Sequence, residues 1–166
     1  MNIFAMSPDP TLSAQWLDDK RVVKMALESA QMLSVACHFT FPSADSALYG
    51  VSHYNHPCNI WCRRTVNNFL WLYDLGKALC AEYEFRYERR HKSLDIIELA
   101  YQHVITYGDL FPETAESVVF DFNSSGFDTG DVHEDYKLCL INKWDHLDTR
   151  RPAWKFRGRP EWYTPK

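Results

Sequence analysis

Four polar side chains recur along one line of an otherwise apolar stretch. Lys20, Lys24, Glu28 and Gln31 stand at i, i+4, i+8 and i+11, which on a helix makes a stripe roughly 80° wide. Around them Trp16, Val22, Val23, Met25, Ala26, Ala30, Met32, Leu33 and Ala36 cover well over half of the circumference, so such a helix must leave water over most of its surface. A buried Lys or Glu is rare unless it is paired or used. The stripe is therefore either a solvated edge with its own ion pairs or the floor of a cleft. As a floor it offers an amine for nucleophilic attack and a carboxylate for proton transfer.

Two further groups supply anion anchors. Arg63, Arg64 and Asn68 share one side of a second periodic segment. His56 and His91 have the side chain that changes charge near neutral pH, although a His before proline at a helix start also serves as a cap. Arg86, Arg89, Arg90 and Lys92 form a basic turn, a placement that also answers a helix macrodipole. The C-terminal segment 143–166 holds seven basic and three acidic residues interleaved with Trp144, Trp154, Phe156, Trp162 and Tyr163. Arg151 and Lys155 suit phosphate contacts, and Trp154 offers a face for an unpaired base. The same aromatics can equally pack the arm on the core.

The elements that position these residues follow from period and punctuation. Ile3-Phe4-Ala5-Met6 is a short apolar arm. A first long helix is expected from Asp9 or Thr11 to about His38, with Pro10 in its first turn. A loop covers 39–55. A second long helix opens at His56-Pro57 and runs to about Arg90. Gly76 within it costs about 1 kcal/mol relative to Ala, which close helix packing would explain. A third helix covers Leu94 to about Tyr107, with Gly108 as its stop. Val118-Val119-Phe120 reads as a short strand, and Asp131 with Glu134 has capping-box spacing before a short fourth helix. The fold expected is mainly α: one compact domain, residues 1–166, of three to four helices with irregular aromatic arms at both ends.

The 166 residues are 46% hydrophobic and 15% aromatic, enough for a real core. No apolar run of about 18 residues predicts a membrane span, and the start lacks signal-peptide character. Five cysteines, an odd number, predict free thiols in a reducing cytoplasm. Cys58 and Cys62 near His53 and His56 lack the second pair a zinc finger needs, so no metal is expected. No phosphate loop or dinucleotide fingerprint is present, so no cofactor is expected either. The net charge is −4, but residues 109–135 carry eight acidic side chains and no Lys or Arg, leaving +4 on the remainder. That segregation suits one polyanion-facing surface, and also a plain acidic loop.

Asp19-Lys20-Arg21 and Glu28, taken with Arg151-Pro152-x-Trp154 and Lys155-Phe156-Arg157-Gly158, resemble phage pyrimidine dimer DNA glycosylases. Asp19-Lys20-x-Val22-Val23-Lys24-Met25, His56-Pro57 with Trp61-x-Arg63, Glu82-Tyr83-x-x-Arg86-Tyr87 and His91-Lys92-Ser93 are similar to a widespread group of phage proteins sometimes given the same label. The resemblance implies a small helical glycosylase and AP lyase acting on double-stranded DNA. In that family an N-terminal α-amine attacks the sugar C1′ to form a Schiff base, a helix glutamate assists, and a base leaves the stack. Glu28 matches the glutamate. Asn2 is a poor context for methionine removal, so the amine belongs to Met1, with Lys20 or Lys24 as the alternative. Arg21, Gln31, His56, Arg63, Arg64, Asn68, Arg86, His91 and Lys92 would line or anchor the DNA, and Arg151, Trp154 and Lys155 form an arm against it. Two other functions use the same parts: a transferase that modifies a pyrimidine in phage DNA, and a non-catalytic binder of nucleic acid or of a host protein, with segment 109–135 as a DNA mimic.

Overall fold

The structure, a computed structural model, describes residues 1–41, 43–107, 111 and 123–165. Among these the chain is all-helical, with six α-helices: α1 (Pro10–Trp16), α2 (Asp19–Thr40), α3 (Pro57–Arg64), α4 (Val66–Tyr87), α5 (Leu94–Tyr107) and α6 (Val132–Asn142). A π-helical turn, Lys143–Leu147, prolongs α6. The expected short strand at 118–120 and the stop at Gly108 lie outside the described residues.

Three or four helices become six because two long segments break at capping residues. Leu17 and Asp18 are extended (ψ 141° and 161°), which separates α1 from α2. The Asp18 carbonyl accepts the N–H groups of Arg21 and Val22, while its carboxylate is held by Trp144 Nε1 at 2.9 Å and Arg21 at 2.9 Å. Thr65 (φ −134°, ψ 154°) separates α3 from α4, and its hydroxyl accepts the N–H of Asn68 at 3.0 Å. Both are N-cap residue types, but only Thr65 uses its side chain to relieve an orphan helix donor; the Asp18 carboxylate is taken by Trp144 and Arg21. Further along, α4 ends at Tyr87, not Arg90, with Glu88 left-handed (φ 53°). Asp131 caps α6 as expected, accepting from His133 and Glu134.

Helix α2 is the axis of the fold and packs against α3, α4 and α5, while α1 lies on α4. Its buried face includes Val22, Met25, Ala26, Ala30, Met32, Leu33 and Ala36. Gly76 of α4 sits where a Cβ would come within 3.0 Å of Ile97 Cδ1 and 3.3 Å of Ser29 Cβ, so its lack of a side chain lets α4 approach α5 and α2. The N-terminal arm is buried from Ile3 to Met6. The C-terminal arm folds back on the bundle, where Trp144 stacks on Trp162 at 5.7 Å and Trp16 meets Trp162 edge-on at 5.9 Å. All five cysteines are free and buried. No helix among the described residues is long and apolar enough to cross a membrane.

Candidate active site

Glu28 is the charged residue of the stripe that α2 turns inward. Its side chain is only 10% exposed because the N-terminal arm lies across it. Oε2 accepts the backbone N–H of Asn2 at 3.0 Å, and the α-amine of Met1 lies 3.8 Å from the same oxygen. Oε1 pairs with Lys24 Nζ at 3.2 Å. The arm is held in place by the Asn2 side chain. Asn2 Oδ1 accepts the N–H groups of Ile3 (2.7 Å) and Phe4 (3.3 Å) and the hydroxyl of Ser124 (3.1 Å). The chain then turns at Phe4, which has φ 47°. The amine of residue 1 and the carboxylate of residue 28 are thereby brought to one place.

They face a cleft of about 280 Å³ whose other walls include Lys20, Arg21, Lys143 and Asp148. Asp148 accepts from Lys20 at 2.8 Å and Arg21 at 2.8 Å, and Arg21 also bonds Asp18 at 2.9 Å. Partial burial alone would raise the Asp148 carboxyl, but the bonds from Arg21 and Lys20 outweigh it and hold it below its ordinary value of 3.8. His56 caps α3, its Nδ1 accepting from the Cys58 N–H at 3.2 Å. Burial and then the positive amino terminus lower its basicity, while Glu28 acts the other way. His56 thus lies within reach of the charges of the amino terminus and Glu28.

The stripe is not uniform. Lys20 and Lys24 are 65% and 64% exposed and each is salt-bridged, so neither lies on a dry cleft floor. Gln31, half-buried, stands one turn beyond Glu28. Several expected anchors serve the fold instead. Arg86 is wholly buried, with Glu82 at 2.8 Å, Asp19 at 2.9 Å and the Gln15 carbonyl at 3.1 Å, so it does not meet a phosphate. Arg63 is buried between the rings of Tyr54 (4.0 Å) and Phe39 (4.6 Å) and donates to the Tyr54 carbonyl. Asn68 is buried and ties α4 to α3 through the Trp61 carbonyl. Arg64 is half-buried at the end of α3.

His91 lies near the Val23 carbonyl at 3.2 Å, and burial lowers its basicity. Lys92 beside it is exposed. On the arm, Arg151 and Lys155 are exposed, while Trp154 is half-buried with its Nε1 on the Trp16 carbonyl. The Lys155 N–H is bound by Asp19 at 2.9 Å. Sequence reasoning missed Asp148, which no local pattern marks and which α2 reaches only through folding.

The chain thus presses its amino terminus against a helix glutamate, beside a cleft that Lys20, Lys24, Arg21 and Lys143 help to line. A family model described as pyrimidine dimer DNA glycosylase matches residues 1–95, more than half of the chain, and the protein belongs to that family. The matched segment contains the arm, Glu28 and α2 through α4; the C-terminal arm lies beyond it. No curated protein and no solved structure matches the chain significantly.

Proposed function

We propose that the protein is a DNA glycosylase with AP-lyase activity that works on a flipped pyrimidine in double-stranded DNA. The observation that carries this reading is the Met1 amine and Asn2 N–H together on Glu28 Oε2, at 3.8 and 3.0 Å. An amine is nucleophilic only without its proton, and a carboxylate at ion-pair distance is placed to take that proton.

The amine attacks C1′ of the deoxyribose and the bond from C1′ to the base breaks, with the leaving base taking a proton. The sugar ring opens as the imine forms. Loss of a C2′ proton to Glu28 or water then expels the 3′ phosphate by β-elimination. Water hydrolyses the imine and returns the amine. Arg21 and Lys20 are tied to Asp148, which fixes that wall of the cleft, and the exposed Arg151 and Lys155 of the arm offer phosphates a basic surface. Opening the stack costs a few kcal/mol, least at a damaged base.

The test is incubation of the protein with duplexes carrying a cyclobutane pyrimidine dimer or an abasic site. An unsaturated 3′ end on the cleaved strand, with the pyrimidine of a dimer freed from its sugar but still joined to its neighbour, supports the reading. Intact strands on both substrates sink it, and a mass gain on an unbroken strand containing a modified pyrimidine, with a donor supplied, selects the transferase instead.

A further inference from the structure

The N-terminal arm is held from a part of the chain that the family match does not reach. Ser124, His133 and Tyr136 all lie beyond residue 95, where the match ends. Ser124 Oγ donates to Asn2 Oδ1 at 3.1 Å. The Ser124 N–H donates to the Tyr136 hydroxyl at 3.4 Å, and the two hydroxyl oxygens are 3.0 Å apart. A serine hydroxyl carries one proton. Asn2 Oδ1 already takes the N–H groups of Ile3 and Phe4, so it is the carbonyl oxygen and only accepts. The Ser124 proton is therefore committed to Asn2, and Tyr136 must be the donor to Ser124 Oγ. Burial pushes the Tyr136 hydroxyl up to about 12, so it keeps this proton. The bonds run in one direction, from Tyr136 through Ser124 to Asn2.

Two further contacts bear on the same arm. The Tyr136 ring meets Phe4 edge-on at 6.4 Å, and His133 Nδ1 lies 2.7 Å from the Ala5 carbonyl. Phe4 has φ 47°, a conformation that a bulky residue keeps only when its surroundings hold it there. The turn that carries Ser124 is itself fixed to α6. Asn123 Nδ2 donates to Asp135 Oδ2 at 2.7 Å, and the Thr129 N–H donates to Oδ1 of the same buried carboxylate at 2.8 Å.

We propose that Ser124, oriented by Tyr136, is a positioning residue for the amino terminus. It acts through Asn2. Fixing the Asn2 side chain fixes the backbone N–H that Glu28 Oε2 accepts, and with it the Met1 amine 3.8 Å from that oxygen. Misplacing an attacking group by about 1 Å can cost a factor of about 10² in rate. The inference rests on the amine reading above and deepens it by naming what holds the nucleophile. The family-matched segment carries the amine and the carboxylate, and α6 with the turn before it sets their pose.

The test is single-turnover borohydride trapping against the concentration of an abasic duplex, with the whole protein as parent, Ser124→Ala, Ser124→Thr and Tyr136→Phe. Ser124→Ala should lower the maximal rate about tenfold or more and leave the half-saturating concentration within about twofold. Ser124→Thr keeps a hydroxyl and should restore most of the rate. Tyr136→Phe should lose rate too, because Ser124 Oγ loses its donor. In an Asn2→Leu background, Ser124→Ala should cost nothing more, since its route to the amine is already cut. Hydrogen exchange of the free proteins, read on the peptide that begins at Met1, reports the arm without any reaction. The Ile3 and Phe4 amides should exchange about tenfold faster in Ser124→Ala and at the parent's rate in Ser124→Thr.

An unchanged maximal rate in Ser124→Ala overturns the inference. So does a rate loss matched by weaker duplex binding, a loss that Ser124→Thr fails to restore, or unchanged exchange at Ile3 and Phe4. A parent that traps no adduct sinks the amine reading, and the exchange rates alone then decide whether Ser124 holds the arm.

Discussion

The N–H of Asn2 donates to Glu28 Oε2 at 3.0 Å, and this contact sets where the chain's amino end sits. The arm cannot move without leaving a carboxylate that is 10% exposed short of a donor, and such a loss costs about 1–3 kcal/mol or more for a charged group. The bond therefore holds the Met1 amine beside Glu28 ahead of any substrate, and in the proposed reaction a nucleophile so positioned avoids much of the entropic cost of bringing reactants together.

Glu28→Gln keeps the volume and the acceptor for Asn2 but removes the base. Glycosidic-bond and strand cleavage are expected to fall by about 10²–10⁴-fold, while duplex affinity, read by anisotropy, changes by only a fewfold. Equal loss of affinity and turnover would make Glu28 a structural residue.

Arg86 carries the opposite expectation. It joins Glu82 on α4 to Asp19 at the start of α2, and Arg157 of the arm closes on the same Glu82 at 2.9 Å. Arg86→Met strips a buried carboxylate of one cation, and unfolding in urea should show a loss of about 3–5 kcal/mol. Adding Glu82→Leu removes the stranded charge and should restore part of that loss. A single variant within about 0.5 kcal/mol of the parent contradicts the burial argument.

This residue also shows how far the sequence could be read. The apolar period of α2, the Asp131 cap and the packing need at Gly76 are local, and local spacing reveals them. The breaks at Asp18 and Thr65 are local too, since both are N-cap residue types, but each sits inside a strong apolar period that masks it. Arg86, Arg63 and Asn68 have the spacing of a polar face. Only folding shows that they are enclosed, because Arg86 meets Asp19 from 67 residues away and Arg63 meets aromatic rings on two other segments. For the candidate site, the Lys24–Glu28 pair follows from an i, i+4 step. The nearness of the amino terminus to Glu28 has no local signal and entered only through family resemblance, and Asp148 had no signal at all.

Asp148 makes the fold sensitive to acid. Its carboxyl is held below 3.8 in the folded state by Arg21 and Lys20. A depressed folded value means the unfolded chain binds the proton more readily. The stabilisation is then complete above the ordinary carboxylate range and is lost as pH falls through the folded value. Thermal unfolding of the parent and of Asp148→Asn should differ by a constant gap above about pH 5 and converge below about pH 4. A gap that persists undiminished to about pH 2 contradicts the assignment.

The most direct measurement is borohydride trapping of the protein on an abasic duplex, with the modified residue located by peptide mass spectrometry. The account predicts an adduct on the peptide that begins at Met1. It should be abolished by acetylation of the α-amine and retained in Lys20→Ala and Lys24→Ala, whose ammonium groups are exposed and salt-bridged. An adduct on Lys20 or Lys24, or one that survives the blocked amine, would contradict the role given to the amino terminus beside Glu28.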